Sequence, residues 1–204
     1  MAQRLPAEAR RISIIQNSKP LLAKHGLAGV SVSELAKACH VNAAVLYQHF
    51  PSKEDLYRTV LEEYACARED YVDAVLAGPG DFGNVLYRMT MVYAKSRSKD
   101  ADILRIELRS IIEGDAIRDA IFSNQWKSFT DYIELSLQEM IDSAQIPALD
   151  LGVASMTYVG MVREMLICHT LDVGNDCATR SLDYLVKQVI NAYLRSLGLS
   201  ALDW

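Results

Sequence analysis

The sequence predicts an all-α protein, and three observations carry that prediction. Ten glycines and five prolines are spread over 204 residues, too few for many short strands joined by turns. Long Leu/Ala/Glu/Arg-rich stretches run between sparse breakers at Gly26, Pro51, Gly78-Pro79-Gly80, Gly114 and Pro147. Half of the residues are apolar and 23% are charged, the balance of a globular chain and not of a disordered or fibrous one. At about 150 residues per domain, the length fits one mid-sized domain or a small one fused to a larger one. A chain of this size buries enough surface to fold without metal or disulfide.

The first helix is expected from about Ala7 to His25, with Ile12, Ile15, Leu21 and Leu22 among its apolar positions and Gly26 as its stop. Pro20 lies inside it, removes the hydrogen bond to the Gln16 carbonyl and is expected to bend it. Ser31-Val32-Ser33-Glu34 is an S-x-x-E capping box that opens a short helix to about Ala38. After a turn at Cys39-His40-Val41, Asn42 caps a second short helix, Ala43 to Phe50, which Pro51 closes. Two short capped helices joined by a three-residue turn make a helix-turn-helix. Ser52 starts a long helix expected to reach about Ala77, with Glu54 and Asp55 in the first turn where the macrodipole favours negative charge. Further helices are expected at about 81–96, 100–113, 116–144, 149–172 and 176–197. No repeat or Gly/Ser linker separates the parts, so the expected division is a head, residues 1–51, packed on a helical body, residues 52–204.

Charge is unevenly placed. The chain carries 21 Lys+Arg against 26 Asp+Glu, net −5. Residues 1–56 hold seven basic side chains (Arg4, Arg10, Arg11, Lys19, Lys24, Lys37, Lys53) and four acidic ones (Glu8, Glu34, Glu54, Asp55), so 7 − 4 = +3, and the remaining residues hold 14 − 22 = −8. A basic head on an acidic body suits a polyanion-binding module on a regulatory body. Solvated basic helix faces give the same excess.

Cysteines at 39, 66, 168 and 177 form no C-x-x-C pair and no zinc-spaced Cys/His cluster. They read as reduced thiols of a cytoplasmic protein, and no metal or cofactor is expected. The charged N-terminus has no apolar leader core. The longest uncharged stretch, Leu151 to Val162, is shorter than the roughly 20 residues that cross a bilayer, so no membrane partner is expected. None of H-E-x-x-H, G-x-S-x-G or G-x-x-x-x-G-K occurs. A catalytic role is therefore not expected, and an all-α enzyme or a helical protein-interaction adaptor is the rival class.

On a 100° wheel, residues 42–50 put Val45, Leu46 and His49 on one side and Ala43, Ala44, Tyr47 and Gln48 on the other. In a major groove, the alanines would permit close approach and touch thymine methyls, while Gln48 would pair bidentately with adenine. The stretch GLAGVSVSELAKACHVNAAVLYQHFPSKEDL, Gly26 to Leu56, closely resembles the DNA-binding head of the tetracycline-repressor (TetR/AcrR) family of bacterial transcription regulators. Leu35-Ala36, Leu46-Tyr47-Gln48-His49-Phe50 and Ser52-Lys53-Glu54-Asp55-Leu56 carry the match, which covers about residues 9–60.

The resemblance implies a ligand-responsive regulator, a repressor by expectation, that binds a palindromic operator as a homodimer and is released by a small-molecule effector. The DNA-binding set is then Ser31, Asn42, Ala43, Ala44, Tyr47, Gln48, His49 and Lys53, with Tyr47, His49 and Lys53 on the phosphate backbone. A lysine in a first helical turn opposes the macrodipole, which a bound phosphate would relieve. Arg4, Arg10 and Arg11 would add contacts from an N-terminal arm. His40 stands where the family usually has glycine, at a turn where a left-handed conformation costs a non-glycine residue on the order of 1 kcal/mol. Ala44-Val45 replaces the Gly-Thr or Gly-Ala pair of many members, so base preference does not carry over.

The family's bodies enclose a small-molecule pocket. Tyr64, Tyr71, Tyr87, Met89, Met91, Tyr93, Trp126, Phe129 and Tyr132 supply amphipathic side chains there, in a pattern that a plain core would also show. The expected effector set is Tyr64, Tyr87, Met91, Arg105, Trp126 and Phe129. Arg105 and Arg109, one turn apart, would hold an anion, or else pair with Glu107 and Glu113. The last two helices carry apolar positions Val159, Val162 and Leu166, and Leu182, Leu185, Val189 and Tyr193. These form the expected dimer interface, a four-helix bundle by resemblance.

Overall fold

The structure is a computed structural model that describes residues 6–63, 68–78, 80–114, 116–173 and 176–204, with the side chains of 68–69 and 116–125 outside the described set. The expected all-α class holds: the described residues form helices and turns and no strand. The order is α1 (Ala7–His25), α2 (Val32–Ala38), α3 (Ala43–His49), α4 (Lys53–Glu63), α5 (Arg68–Leu76), α6 (Phe82–Ser98), α7 (Ala101–Glu113), α8 (Ala116–Asp142), α9 (Leu151–Leu171), a 3₁₀ turn (Asp176–Thr179) and α10 (Leu182–Ser196). Contacts divide the chain into two compact units, Met1–Ala65 with Asp102–Phe122, and Cys66–Ala101 with Ser123–Trp204. The long helix expected from Ser52 to Ala77 is described as α4 in the first unit and α5 in the second; residues 64–67 lie outside the described residues.

In the first unit, local capping sets the helix ends. Gly26 ends α1 at φ 72°, and its N–H donates to the Leu22 carbonyl. The Glu113 carboxylate occupies the space that a Cβ on Gly26 would need. The helix continues through Pro20. Ser31 Oγ accepts from the Glu34 N–H at 3.2 Å while Glu34 Oε2 accepts from the Ser31 N–H at 2.8 Å, completing the capping box. Those bonds hold the Glu34 carboxyl below the usual carboxylate range. Asn42 Oδ1 accepts from the Val45 N–H at 2.9 Å, and Ser52 Oγ from the Asp55 N–H at 3.0 Å. At the end of α2, the His40 N–H donates to the Lys37 carbonyl and the Val41 N–H to the Ala36 carbonyl. This Schellman pair puts His40 in the left-handed region, φ 54°, the conformation its glycine-position predicts.

The core of this unit includes Ile14, Leu22, Leu35, Leu46, Phe50, Leu56, Tyr57, Val60 and Ile106, all nearly inaccessible. Removing a leucine as fully buried as Leu46 to alanine typically costs about 2–5 kcal/mol. Two cations complete the packing by reaching main-chain carbonyls. Arg11 Nη1 donates to the His49 carbonyl at the end of α3 at 2.9 Å, and its guanidinium lies 4.4 Å over the Phe50 ring. Lys53 Nζ donates to the carbonyls of Leu27 at 2.7 Å and Val30 at 3.0 Å. Arg11 is thus a strut of α1, not part of an arm. Arg4 lies outside the described residues.

The second unit is built on an aromatic cluster. Phe129 contacts Tyr71 at 5.3 Å, Trp126 at 5.5 Å and Tyr158 at 5.9 Å between ring centroids; Tyr93 contacts Trp126 at 4.7 Å, and Tyr158 contacts Tyr193 at 5.2 Å. Two of the phenols are paired inside: Thr90 Oγ1 pairs with the Tyr158 hydroxyl, and Tyr193 donates to the Ala154 carbonyl at 3.2 Å. Burial pushes both of these phenol groups above the ordinary tyrosine value. Arg88 of α6 donates to the Ala74 and Val75 carbonyls at 2.6 and 3.0 Å and so fastens the end of α5. The chain's last residues return to this unit: Leu202 exchanges both main-chain hydrogen bonds with the Asn191 carboxamide, and Trp204 packs 4.7 Å from Tyr87.

The same Schellman geometry recurs after α10, where Gly198 has φ 77° and open space around the position of a Cβ. Two substitutions therefore isolate the backbone term. His40→Gly is expected to raise stability and Gly198→Ala to lower it, each by about 1 kcal/mol. Shifts of the urea midpoint in opposite directions at constant slope are the check, and shifts of the same sign would contradict the assignment.

Candidate functional site

The exposed side of α3 divides as the wheel predicts. Asn42, Ala43, Ala44, Tyr47 and Gln48 are exposed, Val45 and His49 are half-buried, and Leu46 is sealed in the core. Tyr47 keeps 48% of its surface open to solvent, a large share for an aromatic residue beside a fully buried leucine. Ser31 is exposed at the start of α2, but its hydroxyl and its main-chain N–H both serve the capping box with Glu34. Asn42 likewise commits its side-chain oxygen to the Val45 N–H. These two residues fix helix ends first, and any contact with another molecule would use their remaining hydrogen-bonding capacity.

Lys53 departs from its predicted role. Its ammonium is half-buried and donates to two carbonyls of the loop between α1 and α2. An ammonium has three donors, so most of its capacity is spent inside the head, and the first-turn position that pointed to a phosphate points equally to these carbonyls. Lys37 and His40 are exposed on α2 and on its closing turn, and sequence reasoning left both out of the DNA-binding set. The helical spacing of Ser33 and Lys37, read as an exposed face of α2, is the signal that would have found Lys37.

The expected effector residues do not gather in one place. Tyr64 lies outside the described residues. Arg105 belongs to the first unit, on α7, exposed and paired with Asp102 at 2.9 Å. Trp126 and Phe129 are members of the packed aromatic cluster, and Met91 on α6 is half-buried. Tyr87 donates to Asp183, which also pairs with Lys187 at 2.9 Å. Burial, with the Asp183 carboxylate, pushes the Tyr87 phenol up to about 12. The second unit instead opens a cavity of about 290 Å³ lined by Tyr71, Val72, Val75, Leu76, Met89, Ser128, Asp131 and Tyr132. Tyr71, Met89 and Tyr132 belong to the amphipathic set read from the sequence; the valines and Leu76 of α5, and Ser128 and Asp131 of α8, were missed, because periodicity does not tell a cavity wall from core or surface.

The dimer set is also divided by burial. Val162, Leu166, Leu185 and Tyr193 are buried within the single chain, so they are core and have no surface left for a partner. Val159, Leu182 and Val189 are half-buried. The open side of the same helices carries Gly152, Val153, Met156, Thr157 and Gly160 on α9, and Tyr184, Gln188 and Ala192 on α10. Helix α9 is long and apolar enough to cross a membrane by composition, with a window of mean hydropathy 1.3. Its inward face, Ala154, Tyr158, Val162 and Leu166, forms part of the core of the second unit. Among the described residues, no group of three or more His, Cys, Asp or Glu side chains is placed to hold a metal ion.

Residues 14–60 match the family model for bacterial regulatory proteins of the tetR family, the segment that holds α2, α3 and most of α1 and α4. No curated protein matches the chain. Among solved structures, HlyIIR, a hemolysin II transcriptional regulator, is similar with a TM-score of 0.68 at 19% identity, over 92% of this chain and 98% of that one. The regulator PfmR from Thermus thermophilus gives 0.65 at 17%, over 89% and 97%. The regulator FadR from Bacillus subtilis, in complex with stearoyl-CoA, gives 0.65 at 17%, over 89% and 96%. At these identities the structural likeness speaks for the fold, while the family assignment rests on the head. Residues 14–60 are thus a head of the tetR family of bacterial regulatory proteins, and the chain as a whole shares the fold of the solved regulators.

Proposed function

We propose that the chain is a ligand-responsive repressor that binds a palindromic operator as a homodimer, with residues 1–51 as the DNA-binding head and 52–204 as the effector and dimerisation body. The observation that carries this reading is the open face of α3: two alanines, a tyrosine and a glutamine held outward while Leu46 and Phe50 anchor the helix from behind. Small side chains let the helix approach base edges, Gln48 has the donor and acceptor pair that matches adenine, and Tyr47 reaches the phosphates. Lys37 and His40 join Tyr47 and His49 as backbone contacts, and Lys53 acts mainly by holding the loop that supports them.

The body supports an effector reading through the cavity in the second unit. Its volume is near the lower end for small-molecule sites, and its lining is mainly apolar, with Ser128, Asp131 and Tyr132 as its polar members. That suits a compact apolar molecule with one or two hydrogen-bonding groups, smaller than the stearoyl-CoA of the FadR neighbour. An effector that lowers operator affinity must itself bind more weakly to the operator complex, by the same factor.

The homodimer reading now rests on the open side of α9 and α10. Gly160 stands in the middle of α9 with nothing within 4 Å of where a Cβ would be. A mid-helix glycine costs about 1 kcal/mol relative to alanine, and the chain itself has no use for the space; the close approach of a partner helix would use it. A two-fold pair presents two α3 helices to half-sites about one turn of DNA apart or slightly more.

Selection of bound duplexes from a random pool tests the operator reading, and an inverted repeat is expected. Binding to that duplex should weaken steeply from low to moderate salt. Tyr47→Phe should lower affinity for all duplexes by similar factors, whereas Gln48→Ala should relax preference at one base pair per half-site, worth about 1–3 kcal/mol. Binding without salt dependence, or unchanged preference in Gln48→Ala, contradicts the reading of α3.

Sedimentation tests the assembly. The wild-type chain is expected to be a dimer at micromolar concentration and Met156→Glu a monomer with much weaker operator binding, because Met156 is 67% exposed in the single chain and its replacement leaves the core untouched. A monomeric wild type would end the proposal.

A further inference from the structure

A groove in the first unit is separate from both the open face of α3 and the cavity of the second unit. It lies between the end of α1 and the open side of α7, with a volume of about 470 Å³. Its charged lining is Lys24, Arg105, Arg109 and Glu113, and its apolar lining is Ala23, Leu108 and Ile112. We propose that this groove binds an amphipathic anion, a carboxylate or phosphate head on a short alkyl chain, with Arg105, Arg109 and Lys24 receiving the head and Leu108 and Ile112 the chain.

The charges on the lining sum to three positive against one negative. Both arginines pair with near neighbours on their own helix: Arg105 with Asp102 at 2.9 Å and Arg109 with Glu113 at 3.6 Å, all four side chains being partly or largely exposed. Exposed pairs of this kind are worth between nothing and about 1 kcal/mol, so a ligand anion that accepts two bonds from a guanidinium displaces them at little cost. The Glu113 carboxylate of the longer pair also lies against Gly26.

The apolar half of the site rests on Ile112. It is 86% exposed, the most open of the large apolar side chains described, although α7 buries Ile103, Leu104 and Ile106 on its other side. Arg105, Leu108, Arg109 and Ile112 follow at helical spacings of three and four, so they share one face. From Arg105 to Ile112 is seven residues, about 10 Å along the axis, the reach of a chain of eight to ten carbons at about 1.3 Å per methylene. A purely polar anion would leave Ile112 and Leu108 in water, and an uncharged hydrocarbon would leave the cations unmatched. The site lies in the unit that holds α2 and α3, and α1 packs on both α2 and α4.

Calorimetric titration below self-association concentrations, with decanoate, decyl phosphate and decanol as probes, tests the inference on the full chain. One anion per chain is expected to bind, with decanol weaker by about tenfold or more; the tighter of the two anions identifies the head. The double variant Arg105→Gln/Arg109→Gln, and separately Ile112→Glu, should each weaken anion binding by about tenfold or more. Both changes are at partly or largely exposed positions and should leave the urea midpoint in place, whereas Ile112→Leu should retain binding. No anion binding by the wild type, equal binding of decanol, or unchanged affinity in either variant overturns the site. Loss of anion binding in Val72→Trp, which narrows the cavity of the second unit, with both groove variants unaffected, would overturn it and assign the anion to the effector cavity.

Discussion

Main-chain carbonyls at the end of α3 and in the loop before α2 are the constraint on which the head depends. Helices α2 and α3 have seven residues each, too few to hold together by themselves in water, and every helix end leaves carbonyls without a partner in the helix. Arg11 supplies such a partner at the end of α3 across 38 residues of sequence, and Lys53 binds two carbonyls of the loop before α2 across 26 and 23. Each cation binds where side-chain caps do not reach: Arg11 at the last turn of α3, Lys53 at the loop that leads into α2. The N-terminal ends are met locally by Ser31, Asn42 and Ser52. With both ends satisfied and Leu46 and Phe50 in the core, the outward side of α3 has one orientation relative to its own unit. A reading surface needs that rigidity, because base-edge contacts tolerate little displacement.

The second unit solves a different problem with the same economy of polar groups. Its aromatic cluster buries large rings whose hydroxyls must be paired, and Thr90 and the Ala154 carbonyl meet those of Tyr158 and Tyr193. The cavity sits beside this cluster, where Tyr71 is both a member of the ring network and a wall. The neighbours of Tyr71 on the same helix, Val72 and Leu76 of α5, are exposed, and the end of α5 is held by Arg88. The same helix therefore joins the packed cluster through Tyr71 and opens the site to solvent through Val72 and Leu76.

Helix ends were legible in the sequence because they are encoded within four residues: the capping box at Ser31, the cap at Asn42, the stops at Gly26 and Gly114, and the left-handed turn at His40. The inward and outward sides of α3 followed from its period alone. What failed depends on partners far away in the chain. Lys53 reads as a phosphate contact because its carbonyls lie more than twenty residues before it. Trp126 and Phe129 read as pocket walls because core and cavity show the same apolar pattern until the rings are seen to touch. Val162, Leu166, Leu185 and Tyr193 are the apolar face of α9 and α10, but a helix between a core and a partner has two such faces, and periodicity does not say which is buried in the monomer. Arg105 and Arg109 read as an anion pair of the body or as partners of Glu107 and Glu113; their helix belongs to the other unit, where Arg109 pairs with Glu113 and Arg105 with Asp102.

Lys53 is the tie on which the integrity of the head turns. Amide hydrogen exchange of α3 in Lys53→Ala, measured without DNA, tests it most directly. Loss of the two charged hydrogen bonds should open the head at a cost of roughly 2 kcal/mol, so the Leu46 and Phe50 amides should exchange about thirtyfold faster than in the wild type. Unchanged exchange in α3 together with a loss of duplex affinity would contradict the account and return Lys53 to the phosphate backbone.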